Sequence, residues 1–83
     1  MKLDIKALGI TAALFWGGSI LVIALVNMMW SGYGQAVLDL VASIYPGYDG
    51  TASIGQVLIG TGYGLVDGFI GGAIFAWVYN QFA

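Results

Sequence analysis

The chain has 83 residues, 60% of them hydrophobic and 7% charged, with a net charge of −2. Soluble domains carry about 25% charged residues, so this inventory cannot cover a water-facing surface. Two lysines and no arginine leave no basic patch for nucleic acid. The lack of cysteine and histidine removes disulfides, thiolate or imidazole metal sites, and the usual ligands of haem or chlorophyll. The sequence therefore implies no cofactor.

The first apolar stretch runs from about Ala7 to Trp30, with Thr11, Ser19 and Asn27 as its polar side chains. About 24 helical residues cover about 36 Å, enough for a hydrocarbon core of about 30 Å with some tilt. Lys2 and Lys6 precede the stretch, and Trp30 and Tyr33 close it. Lysines and aromatics are the expected interfacial anchors. The run is too long for a leader h-region, and no small-x-small site follows it, which favours a span.

The connection, Ser31 to Ala52, carries Gln35, Asp39 and Ser43 at four-residue spacing, with Val37, Leu38, Val41, Ile44 and Tyr45 on the other side. That pattern predicts a short amphipathic helix over residues 34–45, lying in the interface plane. Proline and glycine in Tyr45-Pro46-Gly47-Tyr48-Asp49-Gly50 then set turns, giving a loop over 46–53.

The second apolar stretch runs from about Ile54 to Asn80, opened by a Ser53/Gln56 capping box. Its glycines would make a poor helix in water. In lipid the backbone has no other partner, so helix is nearly forced. Gly60, Gly64, Gly68 and Gly72, extended by Ala76, form a four-residue ladder. Such a ladder is a flat face where another helix can approach closely. It is read as a contact face for the first span, another copy of the chain or a different membrane protein.

Asp67 sits beside this ladder, near the middle of the span. A carboxyl group at that depth costs a few kcal/mol on insertion scales, so it is expected to face protein or water. Matching the midpoints of the two stretches places Asp67 opposite Gly18 and Ser19. Gly17 and Gly18 then let the helices approach, Ser19 is placed to bond Asp67, and Trp16 and Tyr63 are each one turn away. Asp67 is read as a packing group, as a partner-facing carboxyl that pairs with a basic or amide group, or as an ion or proton site.

Gly60-Thr61-Gly62-Tyr63-Gly64 has no preceding strand and no following lysine, so it is neither a filter nor a nucleotide loop. No Ser-His-Asp, Cys-His or clustered-carboxylate arrangement exists, and an enzyme is not expected. Both lysines precede the first span. The positive-inside rule then puts both termini in the cytoplasm, the connection outside, and the chain in a cytoplasmic membrane.

Three stretches carry a resemblance: Met1 to Ala7 (MKLDIKA), Ser43 to Tyr48 (SIYPGY) and Gly64 to Asn80 (GLVDGFIGGAIFAWVYN). They resemble a family of small bacterial two-span membrane proteins of unknown function, often labelled bacteriophage holins. The resemblance implies a bacterial inner-membrane location. The chain is also similar in outline to a rotary ATPase ring subunit. Those subunits, however, carry the ladder on the first span and an Arg-Gln-Pro loop, which this chain does not.

The expected fold is all-α: an antiparallel two-helix transmembrane hairpin with a short interfacial amphipathic helix in its connection. The expected function is non-enzymatic. The chain would act through helix packing, as an accessory subunit of a larger membrane complex or as a self-assembling oligomer. Either partner would bind through the Gly60–Gly72 face. The alternative is a holin-like or channel-like pore former, with a proton or ion site at Asp67 as a lesser variant of it.

Overall fold

The computed structural model describes all 83 residues, Met1 to Ala83. Three helices follow one another: α1 (Ile5–Met29), α2 (Gln35–Ile44) and α3 (Ile54–Phe82). α1 and α3 are each long and apolar enough to cross a membrane, and together they fit a small membrane protein. The molecule is 44 Å long and about half as wide.

Asp4 starts α1 by accepting the Ala7 amide at 2.9 Å. Ser53 starts α3 by accepting the Gln56 amide at 3.3 Å. The other half of the expected capping box does not form. The Gln56 side chain instead accepts the Asp49 amide at 2.9 Å and donates to the Gly47 carbonyl. It therefore staples the connection to the start of α3, which satisfies loop groups that no helix serves.

α1 and α3 lie antiparallel, with small residues meeting small residues. A Cβ built on Gly72 would lie 3.1 Å from Gly9 Cα; one on Gly68, 2.8 Å from Ala13 Cα; one on Gly64, 3.0 Å from Gly17 Cα. The pairs Gly9–Gly72, Ala13–Gly68 and Gly17–Gly64 thus set the register. Four-residue spacing on both helices makes two smooth faces, and close backbone approach gains dispersion contacts over their whole length. The free ends of the hairpin are tied by Asn80. Its side chain accepts the Leu3 amide at 2.7 Å and donates to the Leu3 carbonyl at 2.9 Å.

The connecting helix is present, but it does not lie flat across the end of the hairpin. Gly34, at φ 64°, takes a left-handed conformation that few other residues tolerate, and so turns the chain into α2. Leu38 packs with Ala24 and Val57, Val41 packs with Ile20, and Tyr45 reaches Trp16. From Ala24 to Trp16 the contacts move eight residues along α1, a descent of about 12 Å. Tyr45-Pro46-Gly47-Tyr48 then reverses the chain. The Tyr48 amide bonds the Tyr45 carbonyl at 3.2 Å, and Gly47 has φ 84°, as a Pro-Gly turn requires. The return path passes Ile20 and Gly60 at Tyr48, and Leu38 at Gly50. The connection is a helix and turn held along one side of the hairpin. An amphipathic pattern is satisfied as well by an apolar face against protein as by one against lipid, and here protein takes it.

Candidate functional site

The polar groups near the middle of the hairpin converge on Tyr45. The Trp16 indole N–H donates to Tyr45 Oη at 2.8 Å, and the Tyr45 hydroxyl donates to Asp67 Oδ2 at 2.6 Å. The three side chains come from α1, the C-terminal end of α2 and α3, so each segment of the fold holds one member. The Tyr45 ring stacks on Tyr63, with centroids 5.0 Å apart and planes 16° from parallel. The Tyr63 hydroxyl donates to the Pro46 carbonyl. Tyr48 lies over Gly60, where a Cβ would come within 2.7 Å of its ring. Any side chain at position 60 would push the tip away.

Several residues stand elsewhere than the sequence suggested. Ser19 does not meet Asp67; its hydroxyl donates to the Phe15 carbonyl of its own helix at 2.6 Å. The register explains this. With Ala13 against Gly68, Asp67 stands level with Leu14, about 7.5 Å along the axis from Ser19. Gly18 faces open space, with nothing within 4 Å of a Cβ built there, whereas Gly17 lies in the contact. Trp16 and Tyr63 do surround Asp67, but Trp16 reaches it only through Tyr45. Gly64, Gly68, Gly72 and Ala76 are buried, the three glycines against α1, and Gly60 is covered by Tyr48. The ladder residues are thus covered by this chain itself.

Sequence reasoning missed Tyr45 as the ligand of Asp67, because the connection was placed flat in the interface. It also missed Gly9 and Ala13, which with Gly17 make a second four-residue ladder whose match to Gly64, Gly68 and Gly72 was present in the sequence. Asn27 was noted only as polar. It is buried, and donates to the Tyr33 carbonyl at 2.7 Å and to Gln35 Oε1 at 3.2 Å. Gln35 in turn donates to Asp39 Oδ1 at 2.8 Å. This network ties the start of α2 to the end of α1.

No family model, curated protein or solved structure matches the chain. The site must be read from its own chemistry.

Asp67 is the anomaly in that chemistry. It is exposed on the surface of the hairpin, and Tyr45 occupies Oδ2 alone; Oδ1 has no partner within the chain. The side-chain donors around it are already engaged. Trp16 and Tyr45 serve the cluster, Tyr63 serves Pro46, and Ser19 and Thr11 bond carbonyls of their own helix. The Thr61 hydroxyl is buried and has no partner, although the residue itself is only half-buried. It follows Gly60 by one position, about 100° round the helix. That places it on the side of the seam away from Asp67. The cluster holds a carboxyl group in a fixed position and leaves half of it unused.

Proposed function

We propose that this chain is a non-enzymatic protein of a bacterial inner membrane that acts by helix packing, as a small accessory subunit of a larger membrane complex. The observation that carries the reading is the half-partnered Asp67. In hydrocarbon an exposed carboxyl group is costly, and such groups face protein or a water-filled cavity. The chain's own tyrosine fixes the group in place but does not bury it, so the remaining cover comes from outside the chain. Lys2 and Lys6, at the end where both termini lie, favour a cytoplasmic position for that end.

The internal use of the glycine ladder weighs against self-assembly through that face. A pore assembled from copies of this chain would have little to line it. Ser19 is turned onto its own backbone and the Thr61 hydroxyl is buried, which leaves Asp67 almost alone as a water-facing group. The holin-like resemblance adds the bacterial membrane to the proposal but no lytic activity.

Native mass spectrometry of the tagged chain, extracted gently from its own membranes, tests the reading. The expected result is a fixed-ratio complex with a larger membrane protein. Isolated monomers that persist in the mildest lipid-preserving extraction would overturn it. A series of multiples of the chain's own mass would replace it with the oligomer or pore.

A further inference from the structure

The seam between α1 and α3 is covered unequally on the side that carries Trp16, Tyr63 and Asp67. Toward the turn, α2 and the returning chain cover it. Toward the termini it is bare. There an open slot of about 250 Å³ is lined by Leu8, Ala12, Gly71, Gly72 and Phe75. Gly71 and Phe75 follow Asp67 at four-residue steps, and Ala12 and Leu8 precede Trp16 at the same step, so the slot continues the face of the cluster. Nothing lies within 4 Å of a Cβ built on Gly71, while one on Gly72 would meet Ala12 Cβ at 2.6 Å. The slot therefore has an open mouth and a floor made by the tight α1–α3 contact, and Asp67 stands one turn beyond Gly71 on the same face of α3.

We infer that this slot is the docking surface for a transmembrane helix of another protein, one that carries a lysine or arginine near its middle and sets that cation on Asp67. The inference rests on the accessory-subunit reading and gives it a surface and a partner chemistry. Charge complementarity is the first argument: the group presented is an acid with a free oxygen, and cations in membrane helices seek such partners. The second is that a copy of this chain cannot supply the match. Its only cations, Lys2 and Lys6, lie at one end, and the donors near the level of Asp67 are engaged or buried. The third is shape. Gly71 and Ala12 let a second backbone approach closely. The ledge formed by α2 stops that contact at Tyr45, so the incoming helix tilts away from the hairpin axis. Trp16 and Tyr45 are positioning residues that aim the carboxyl group at it.

The test uses the full chain in phosphatidylcholine vesicles with a designed polyleucine transmembrane helix bearing one central arginine. A helix with leucine at that position is the comparison, and association is read by fluorescence transfer. The arginine helix is expected to bind about tenfold more tightly. Asp67→Asn keeps an acceptor for Tyr45, and so the fold, but should erase the preference. Gly71→Leu fills the slot and should weaken both helices, whereas Gly18→Leu, on the outer face, should change neither. Equal binding of the two helices, or a preference that survives Asp67→Asn, overturns the inference. A photo-cross-linker at position 71 in native membranes separates the two proposals. Adducts to an apolar segment containing lysine or arginine support both. Adducts to a cation-free segment of another protein overturn the docking chemistry alone, and adducts to a second copy overturn both.

Discussion

Replacing Gly68 with alanine adds one methyl group where the backbones of α1 and α3 meet. That methyl would lie 2.6 Å from the Ala12 carbonyl oxygen and 2.8 Å from Ala13 Cα, both backbone atoms that cannot swing aside. Ordinary contact begins at 3.4 Å, so the helices must part by about 0.8 Å, a gap that forfeits a quarter to a half of each dispersion contact it opens. Overpacking of this kind costs about 1–3 kcal/mol. Gly71→Ala makes the same chemical change three residues away, where nothing lies within 4 Å. Both variants gain the same helix propensity, up to about 1 kcal/mol. That gain cancels in the comparison and leaves the clash. Reversible unfolding by SDS titration in mixed micelles, followed by tryptophan fluorescence, measures the difference. Gly68→Ala is expected to be about 1–3 kcal/mol less stable than Gly71→Ala. Equal stabilities would show that the register of α1 against α3 is wrong.

Tyr45→Phe removes the atom that joins Trp16 to Asp67 and leaves both without a partner, at a cost of about 1–3 kcal/mol; hydrogen exchange at Tyr48 and Gly50 should rise, and unchanged exchange would mean that the tip is held by other contacts. Ser19→Ala should alter stability by less than about 0.5 kcal/mol, because the hydroxyl serves only its own helix; a larger loss in the same titration would restore a pairing with Asp67. Asn80→Ala should fray the ends of the hairpin, read as faster exchange of the Leu3 amide with little change at the middle of α1.

The parts of this fold that were legible in the sequence depend on local pattern. Apolar length marked both long helices to within two residues of their bounds, and Ser53 marked the start of α3. The four-residue periodicity over Gln35–Ser43 marked α2. What failed was relative placement. Aligning the midpoints of the apolar stretches set Asp67 against Ser19, but the register follows the fit of Gly9, Ala13 and Gly17 against Gly72, Gly68 and Gly64. Fit between two faces outweighs equality of depth. The glycine ladder was recognised as a contact face, but its spacing alone could not name the occupant. Tyr45 was invisible as a ligand for a similar reason. An amphipathic helix does not say whether lipid or protein receives its apolar side, and the partner of Asp67 depended on that choice.

The Trp16–Tyr45–Asp67 cluster also dictates an order of assembly. The polypeptide emerges from the ribosome with α1 first, the connection second and α3 last. Tyr45 is thus made before Asp67, its partner on α3. Until the second span is inserted, the tip of the connection has no acceptor for its hydroxyl and no Gly60 surface for Tyr48. Polar groups without partners do not enter hydrocarbon. The tip therefore docks against the side of the hairpin only after both long helices are in place, so that its docking is the last step in making the unit.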